Sequence, residues 1–198
     1  MYRIAKIYKT IQGEGHHAGN SCVIVRLSGC NLWSGLEKDR DRAVCKFCDT
    51  DFIHKESLSP GEIKNRVDSL LPAAFILLTG GEPALQWDAE LAETLSGTGI
   101  PVHMETNGTV PLAARQPDWV TVSPKLPRSS LRVEQADELK LVYPQVGIDP
   151  GDFADIAQLR TLQPLWGDMS STEACVKFIL ENPGWSLSLQ TNKFLSIP

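Results

Sequence analysis

Six stretches are apolar throughout or alternate apolar with polar positions, and glycine, proline, serine or asparagine bounds them: residues 22–27, 75–78, 102–105, 119–122, 139–142 and 185–189. Runs of about four to eight residues with this period and these borders are predicted as β-strands. The unbroken apolar run Phe75-Ile76-Leu77-Leu78 further predicts strands covered on both faces, as in a parallel sheet.

Helical patterns fall between the strands. Ser59-Pro60-Gly61-Glu62 is a capping box with proline at the first helical position, predicting a helix to about residue 71 that Pro72 stops. Residues 88–96 predict a second helix with Gly97 at its end. Ser170-Ser171-Thr172-Glu173 predicts the cap of a third, reaching about residue 180 and ended by Asn182-Pro183-Gly184. Strand–helix alternation implies an α/β fold, and too few strands are present to close an eight-stranded barrel, so the expected architecture is an incomplete parallel β/α barrel of about six strands. No repeat or low-complexity segment interrupts the chain, and one domain over residues 1–198 is expected.

Sites in parallel sheets collect at the carboxyl ends of the strands. Four successive predicted strands end in polar, glycine- or proline-bearing turns: Gly29-Cys30, Thr79-Gly80-Gly81-Glu82-Pro83, Thr106-Asn107-Gly108-Thr109 and Ser123-Pro124-Lys125. Gly80 and Gly81 let main chain approach a ligand closely, Glu82 can accept from an ammonium group, and Ser123 with Lys125 suits a carboxylate or a ribose. Together these groups match the zwitterionic end of an amino acid.

Composition narrows the classes. Hydrophobic residues make up 42% of 198, enough for one buried core, and the net charge is −5. That balance argues against a nonspecific nucleic-acid surface, and the five tryptophans lack the basic interleaving of a base-stacking one. No apolar run approaches the ~20 residues needed to span a bilayer, and Tyr2-Arg3-Ile4-Ala5-Lys6-Ile7 carries no secretory cleavage site. A cytoplasmic location without membrane or nucleic-acid partners is therefore expected, with reduced thiols.

Three of the five cysteines are Cys30, Cys45 and Cys48, with fourteen residues separating the first two and two separating the last pair. Three thiolates can hold three corners of a cubane and leave the fourth iron open. The same pattern fits a closed zinc site with His54 as fourth ligand, as in an interaction module. Cys22 and Cys175 read as core volume, His103 as a satisfied strand residue, and His16 and His17 as a solvated loop pair.

Cys45-Lys46-Phe47-Cys48, Gly80-Gly81-Glu82-Pro83 and Ser123-Pro124-Lys125 resemble the radical S-adenosylmethionine (SAM) superfamily. Thr10-Ile11-Gln12-Gly13-Glu14-Gly15, Arg26-Leu27-Ser28-Gly29-Cys30-Asn31-Leu32, Cys48-Asp49-Thr50, Glu105-Thr106-Asn107-Gly108-Thr109 and Leu189-Gln190-Thr191 resemble, more narrowly, the 7-carboxy-7-deazaguanine synthase family over nearly the whole chain. The resemblance implies a lyase that turns 6-carboxy-5,6,7,8-tetrahydropterin into 7-carboxy-7-deazaguanine, a queuosine precursor, by removal of the C6 hydrogen, ring contraction and loss of ammonia. It implies a [4Fe-4S] cluster on Cys30, Cys45 and Cys48, in a cluster loop over residues 30–48, and SAM along Gly81, Glu82, Asn107, Ser123, Pro124, Lys125, Gln163, Pro164, Leu165 and Trp166. It also implies Mg²⁺ at Thr50, and substrate on Ile11, Gln12, Gly13, Glu14, Arg26, Thr79, Asn192 and Pro198, with the tail 190–198 contacting it. A low-potential electron donor such as a flavodoxin and a homodimer complete the picture. A glycyl-radical activase is the neighbouring alternative in the superfamily.

Two features depart from the common pattern. The superfamily usually places three residues between the first two cysteines; the fourteen here, with Glu37, Lys38, Asp39, Arg40, Asp41 and Arg42, are expected to form a solvated excursion, or else a docking loop for the electron donor. Relatives often carry histidine where this chain has Asn192, which keeps a donor and cannot become cationic.

Overall fold

A computed structural model describes all 198 residues. The strands are β1 (Tyr2–Ile11), β2 (Ser21–Leu27), β3 (Glu56–Leu58), β4 (Phe75–Gly80), β5 (Val102–Thr106), β6 (Trp119–Val122), β7 (Glu138–Val142), β8 (Leu159–Gln163) and β9 (Ser186–Leu187). They form a single sheet in the order β3-β1-β2-β4-β5-β6-β7-β8-β9. From β2 to β9 the pairings are parallel, while β1 lies antiparallel to both β2 and β3.

The expected partial barrel thus has nine strands, not about six. β1 escaped the alternation test because its burial does not alternate and a bulge between Ile4 and Lys6 shifts its register. β3 spans three residues. β8 reads Leu-Arg-Thr-Leu-Gln, too polar to stand out.

Helices cover one face. α1 (Pro60–Ser69) starts as expected: the Ser59 side chain accepts from Glu62 N–H and the Glu62 carboxylate accepts from Ser59 N–H. α2 (Ala89–Ser96) is capped by Asp88. α3 (Met169–Glu181) begins earlier than Ser170-Ser171 predicts, because the Asp168 carboxylate accepts from both serine amides and takes the cap. The short α4 (Thr191–Phe194) lies in the tail. No α-helix connects β5 to β6, β6 to β7 or β7 to β8, so alternation stops there and loops carry the chain.

Period-two alternation sorts side chains between the two faces. Val23, Val25, Leu27, Ile76, Leu78 and Met104 pack under Ile63 and Val67 of α1 and Leu91 and Leu95 of α2. Val122, Leu139, Leu141 and Leu162 pack with Phe153, Trp185 and Cys175 of α3. At the start of the strands the opposite face holds Cys22, Ile24, Phe75 and Leu77. Beside them Phe75 stacks on His103 at 4.0 Å, and His17 lies 4.6 Å from His103 and 4.4 Å from Trp119. Burial pushes the His103 imidazole down to about 4, so the ring is neutral at physiological pH. This aromatic layer closes the lower end of the concave face, and polar groups collect at the upper end.

Candidate active site

A cavity of about 480 Å³ opens at the carboxyl ends of the strands, within the range of cofactor and substrate sites. Cys30, Cys45 and Cys48 all line it and are free thiols. Burial raises Cys30, against N–H groups from Leu32 and Trp33; burial pushes Cys45 up to about 11, against the charge of Lys125. A metal must therefore displace their protons. No three His, Cys, Asp or Glu side chains converge on a point suited to one metal ion. His54 is exposed and lies outside the cavity lining. The three cysteines line one cavity without a fourth protein ligand from His54, which a closed zinc site would need and a cubane with one open iron would not.

The turns position these thiols. A Cβ added at Gly81 would meet the Gly29 carbonyl oxygen at 2.0 Å and the Cys30 nitrogen at 3.1 Å, so only glycine lets the turn after β4 nest against the turn after β2. Glu82 N–H donates to that same Gly29 oxygen at 2.9 Å. The Glu82 side chain departs from the expected ligand role. It is fully buried and off the cavity lining, and its oxygens accept from Thr106 Oγ1 (2.7 Å), Asn107 N–H (2.7 Å) and Ala84 N–H (2.9 Å). Burial raises its carboxyl above the usual range despite these donors. Asn107 Nδ2 in turn donates to Asn31 Oδ1 at 3.0 Å, which ties the turn after β5 to the start of the cluster loop.

Ser123, Lys125 and residues 163–166 line the same cavity as the cysteines. Lys125 Nζ donates to Ser123 O at 2.6 Å and Oγ at 2.5 Å, and no carboxylate of the chain pairs with it. Burial lowers its pKa, the cost of a cation without a counter-charge, and a ligand carboxylate would relieve it.

The floor carries a buried ion cluster. Lys140 Nζ donates to Glu14 Oε2 at 2.5 Å and to Glu105 Oε1 at 2.9 Å. Glu105 also accepts from Gln12 Nε2 (3.0 Å) and Thr79 Oγ1 (3.2 Å), and Glu14 from Gln190 Nε2 (2.7 Å). Burial tends to raise Glu14, but the Lys140 charge and its hydrogen bonds outweigh that and hold the carboxyl below its usual range. Burial tends to lower Lys140, yet Glu105 and Glu14 drive its pKa upward.

Thr50 lines the wall beside Asp49. The remaining expected substrate residues gather along the ends of β1 and β2 and the tail, off the cavity lining. Arg26 Nη2 donates to Tyr8 Oη at 2.9 Å, while its buried Nε has no partner. The Gly13 carbonyl accepts from Thr191 N–H at 2.9 Å, and a Cβ at Gly13 would strike Asn192 Oδ1 at 2.0 Å. The Pro198 carbonyl accepts from Thr10 Oγ1 at 2.8 Å. Ile11 is exposed at the end of β1, and Pro124 is buried beneath its turn.

Sequence reasoning passed over Glu105, Lys140 and Lys193 as individual groups. Glu138-Leu139-Lys140-Leu141 held the signal: charges alternating with leucines in a strand point to a polar interior on one face. Lys193 pairs with Asp49, next to Cys48, and lies 5.4 Å from the Trp166 ring, which meets Phe194 edge-on at 4.8 Å. These pairs seat α4 on the cavity mouth. The expected solvated excursion is also only half right, because Trp33 and Ala43 of the segment between Cys30 and Cys45 bury with Phe52.

The radical SAM superfamily profile matches residues 41–148, beginning inside that segment and beyond Cys30. The 7-carboxy-7-deazaguanine synthase of Nitratidesulfovibrio vulgaris is 44% identical over all of this chain and 99% of its own length. That of Bordetella pertussis is 41% identical over the same shares. A solved structure, QueE from Escherichia coli, superposes with a TM-score of 0.70 at 25% identity, covering 96% of this chain and 94% of the other.

Proposed function

The chain belongs to the 7-carboxy-7-deazaguanine synthase family of the radical SAM superfamily, and we propose that its cavity carries out that family's reaction, with the residues assigned as follows. A radical SAM lyase of this kind converts 6-carboxy-5,6,7,8-tetrahydropterin to 7-carboxy-7-deazaguanine with loss of ammonia. When bound, the [4Fe-4S] cluster and SAM supply the electron and the adenosyl group that removes the C6 hydrogen.

Cys30, Cys45 and Cys48 hold the cluster. Lys125 takes the methionyl carboxylate, with Ser123, Asn107 and the 163–166 turn along the rest of SAM; Glu82 and Pro124 shape those turns from below. The observation that carries this reading is the pairing, across one cavity, of three free thiols with a cation that has no counter-charge. Glu14, Glu105, Lys140 and Thr79 form a polar floor rich in acceptors and donors, suited to the edge of a pterin. Arg26 takes the substrate carboxylate, and Ile11, Gln12, Gly13, Asn192 and Pro198 frame that side. Thr50 offers a neutral hydroxyl to Mg²⁺. The reading further comprises a single domain over residues 1–198, a homodimer, a flavodoxin-like donor and a cytoplasmic setting. No helix is long and apolar enough to cross a membrane.

The test is an anaerobic assay with the carboxylated tetrahydropterin, SAM, reductant and Mg²⁺, followed for the deazaguanine product. Product formed without a protein partner supports the synthase and excludes an activase; a reducible cluster without product sinks the substrate assignment. Arg26→Gln is expected to raise KM for the pterin by roughly 10- to 100-fold, the scale of a lost charge-assisted hydrogen bond, with a smaller change in kcat. An unchanged KM would remove Arg26 from the substrate site.

A further inference from the structure

Arg40, in the 3₁₀ turn Glu37–Arg42 between the first two cysteines, reaches back to the cluster turn. Its Nη1 donates to the carbonyls of Lys46 (3.1 Å) and Cys48 (2.7 Å), while Nε and Nη2 engage Glu37. The guanidinium lies 3.9 Å from the centre of the Trp33 ring. Trp33 is 8% exposed, meets Phe52 edge-on at 5.6 Å and lines the cavity beside the cysteines. Its Nε1–H is buried without an acceptor, although a buried indole N–H normally has one.

We propose that Arg40, stacked on Trp33, positions the close cysteine pair for the iron–sulfur cluster by locking the Cys45–Cys48 turn. The proposal rests on the cluster assignment above. With three intervening residues the chain itself would hold the second cysteine near the first; with fourteen it does not, because a loop of that length samples many closures. Arg40 replaces that restraint by gripping two carbonyls of the turn and stacking on an indole packed into the same loop. The Trp33 Nε1–H, closed off from the open cavity, takes no part in this grip.

The test uses full-length wild type, Trp33→Phe, Arg40→Gln and Arg40→Lys, reconstituted anaerobically. Iron per chain, iron release to a ferrous chelator, and the unfolding midpoint of each metal-free protein are measured. Trp33→Phe keeps an aromatic face under the guanidinium and is expected to release iron at close to the wild-type rate. Arg40→Gln and Arg40→Lys are both expected to release iron about tenfold faster, the scale found for outer ligand-supporting groups, since lysine cannot both stack and fork. Wild-type iron release in Arg40→Lys, or a faster release matched by an equal loss of unfolding midpoint, overturns the proposal. Wild type that fails to take up about four irons per chain would instead remove the cluster assignment.

Discussion

Gly81→Ala is expected to abolish cluster binding while most of the sheet stays folded. The added methyl carbon would stand 2.0 Å from the Gly29 oxygen and 3.1 Å from the Cys30 nitrogen. Both contacts are main chain, so no side chain can swing away to relieve them. The turns are also hydrogen-bonded, Gly81 N–H to the Leu27 carbonyl at 3.2 Å and Glu82 N–H to the Gly29 carbonyl at 2.9 Å. Relief must come from moving the turn that carries Cys30, and a thiolate displaced by even an ångström no longer shares a cubane with Cys45 and Cys48. Overpacking of this kind costs about 1–3 kcal/mol of stability; the loss of bound iron is expected to exceed about tenfold. Iron per chain after anaerobic reconstitution measures it. Gly61→Ala, where nothing lies within 4 Å of the added carbon, is the matched control and should reconstitute normally. A Gly81→Ala protein that holds wild-type iron would show that the two turns do not set the cysteine.

Lys140→Met is expected to destabilise the protein by about 3–5 kcal/mol at pH 7, because it strands two carboxylates that the ammonium now serves in a buried site. The sign of the pH dependence separates this cause from a packing defect. In the wild type the Glu14 pKa is depressed on folding, so its contribution is present above the ordinary carboxylate range and is lost only as pH falls through the lower folded value. Lys140 is raised on folding, so its contribution is present below the ordinary lysine value and is lost only as pH rises through the higher folded one. Between pH 5 and 7 neither contribution changes in the wild type. In Lys140→Met burial alone raises the stranded carboxyl, the folded state takes up a proton more readily than the unfolded one, and stability should climb as pH falls from 7 towards 5. Adding Glu14→Gln should recover part of the loss, since the pair does not act additively. Denaturant unfolding of the wild type, Lys140→Met, Glu14→Gln and the double variant at both pH values measures these differences. An equal deficit at pH 5 and pH 7 would reassign Lys140 to packing.

Both predictions concern residues whose importance shows at different depths. Gly81 stands in a motif visible in the chain, and the reason expected for it is close approach to a ligand; it lines the cavity, and the fold adds a neighbouring carbonyl as a second reason. Lys140 was visible as a charge inside a strand, without its partners, because Glu14 is 126 residues away and Glu105 is 35. Glu82 shows the reverse: its place after β4 was legible, and its carboxylate spends its oxygens on the next turn.

Local chemistry determined what could be read from residues alone. Period-two runs marked the central parallel strands, a capping box marked α1, and strand-end turns placed the thiols, Ser123 and Lys125 on one rim, since each of these signals lies within a few neighbouring residues. Tertiary packing decided the rest: the antiparallel edge made by β1, the Asp168 cap, the ion cluster under the cavity, and the grip of Arg40 on the cysteine turn. These depend on which distant groups meet in a desolvated space, and the free energy of such meetings is set by geometry and dielectric that no stretch of sequence carries by itself.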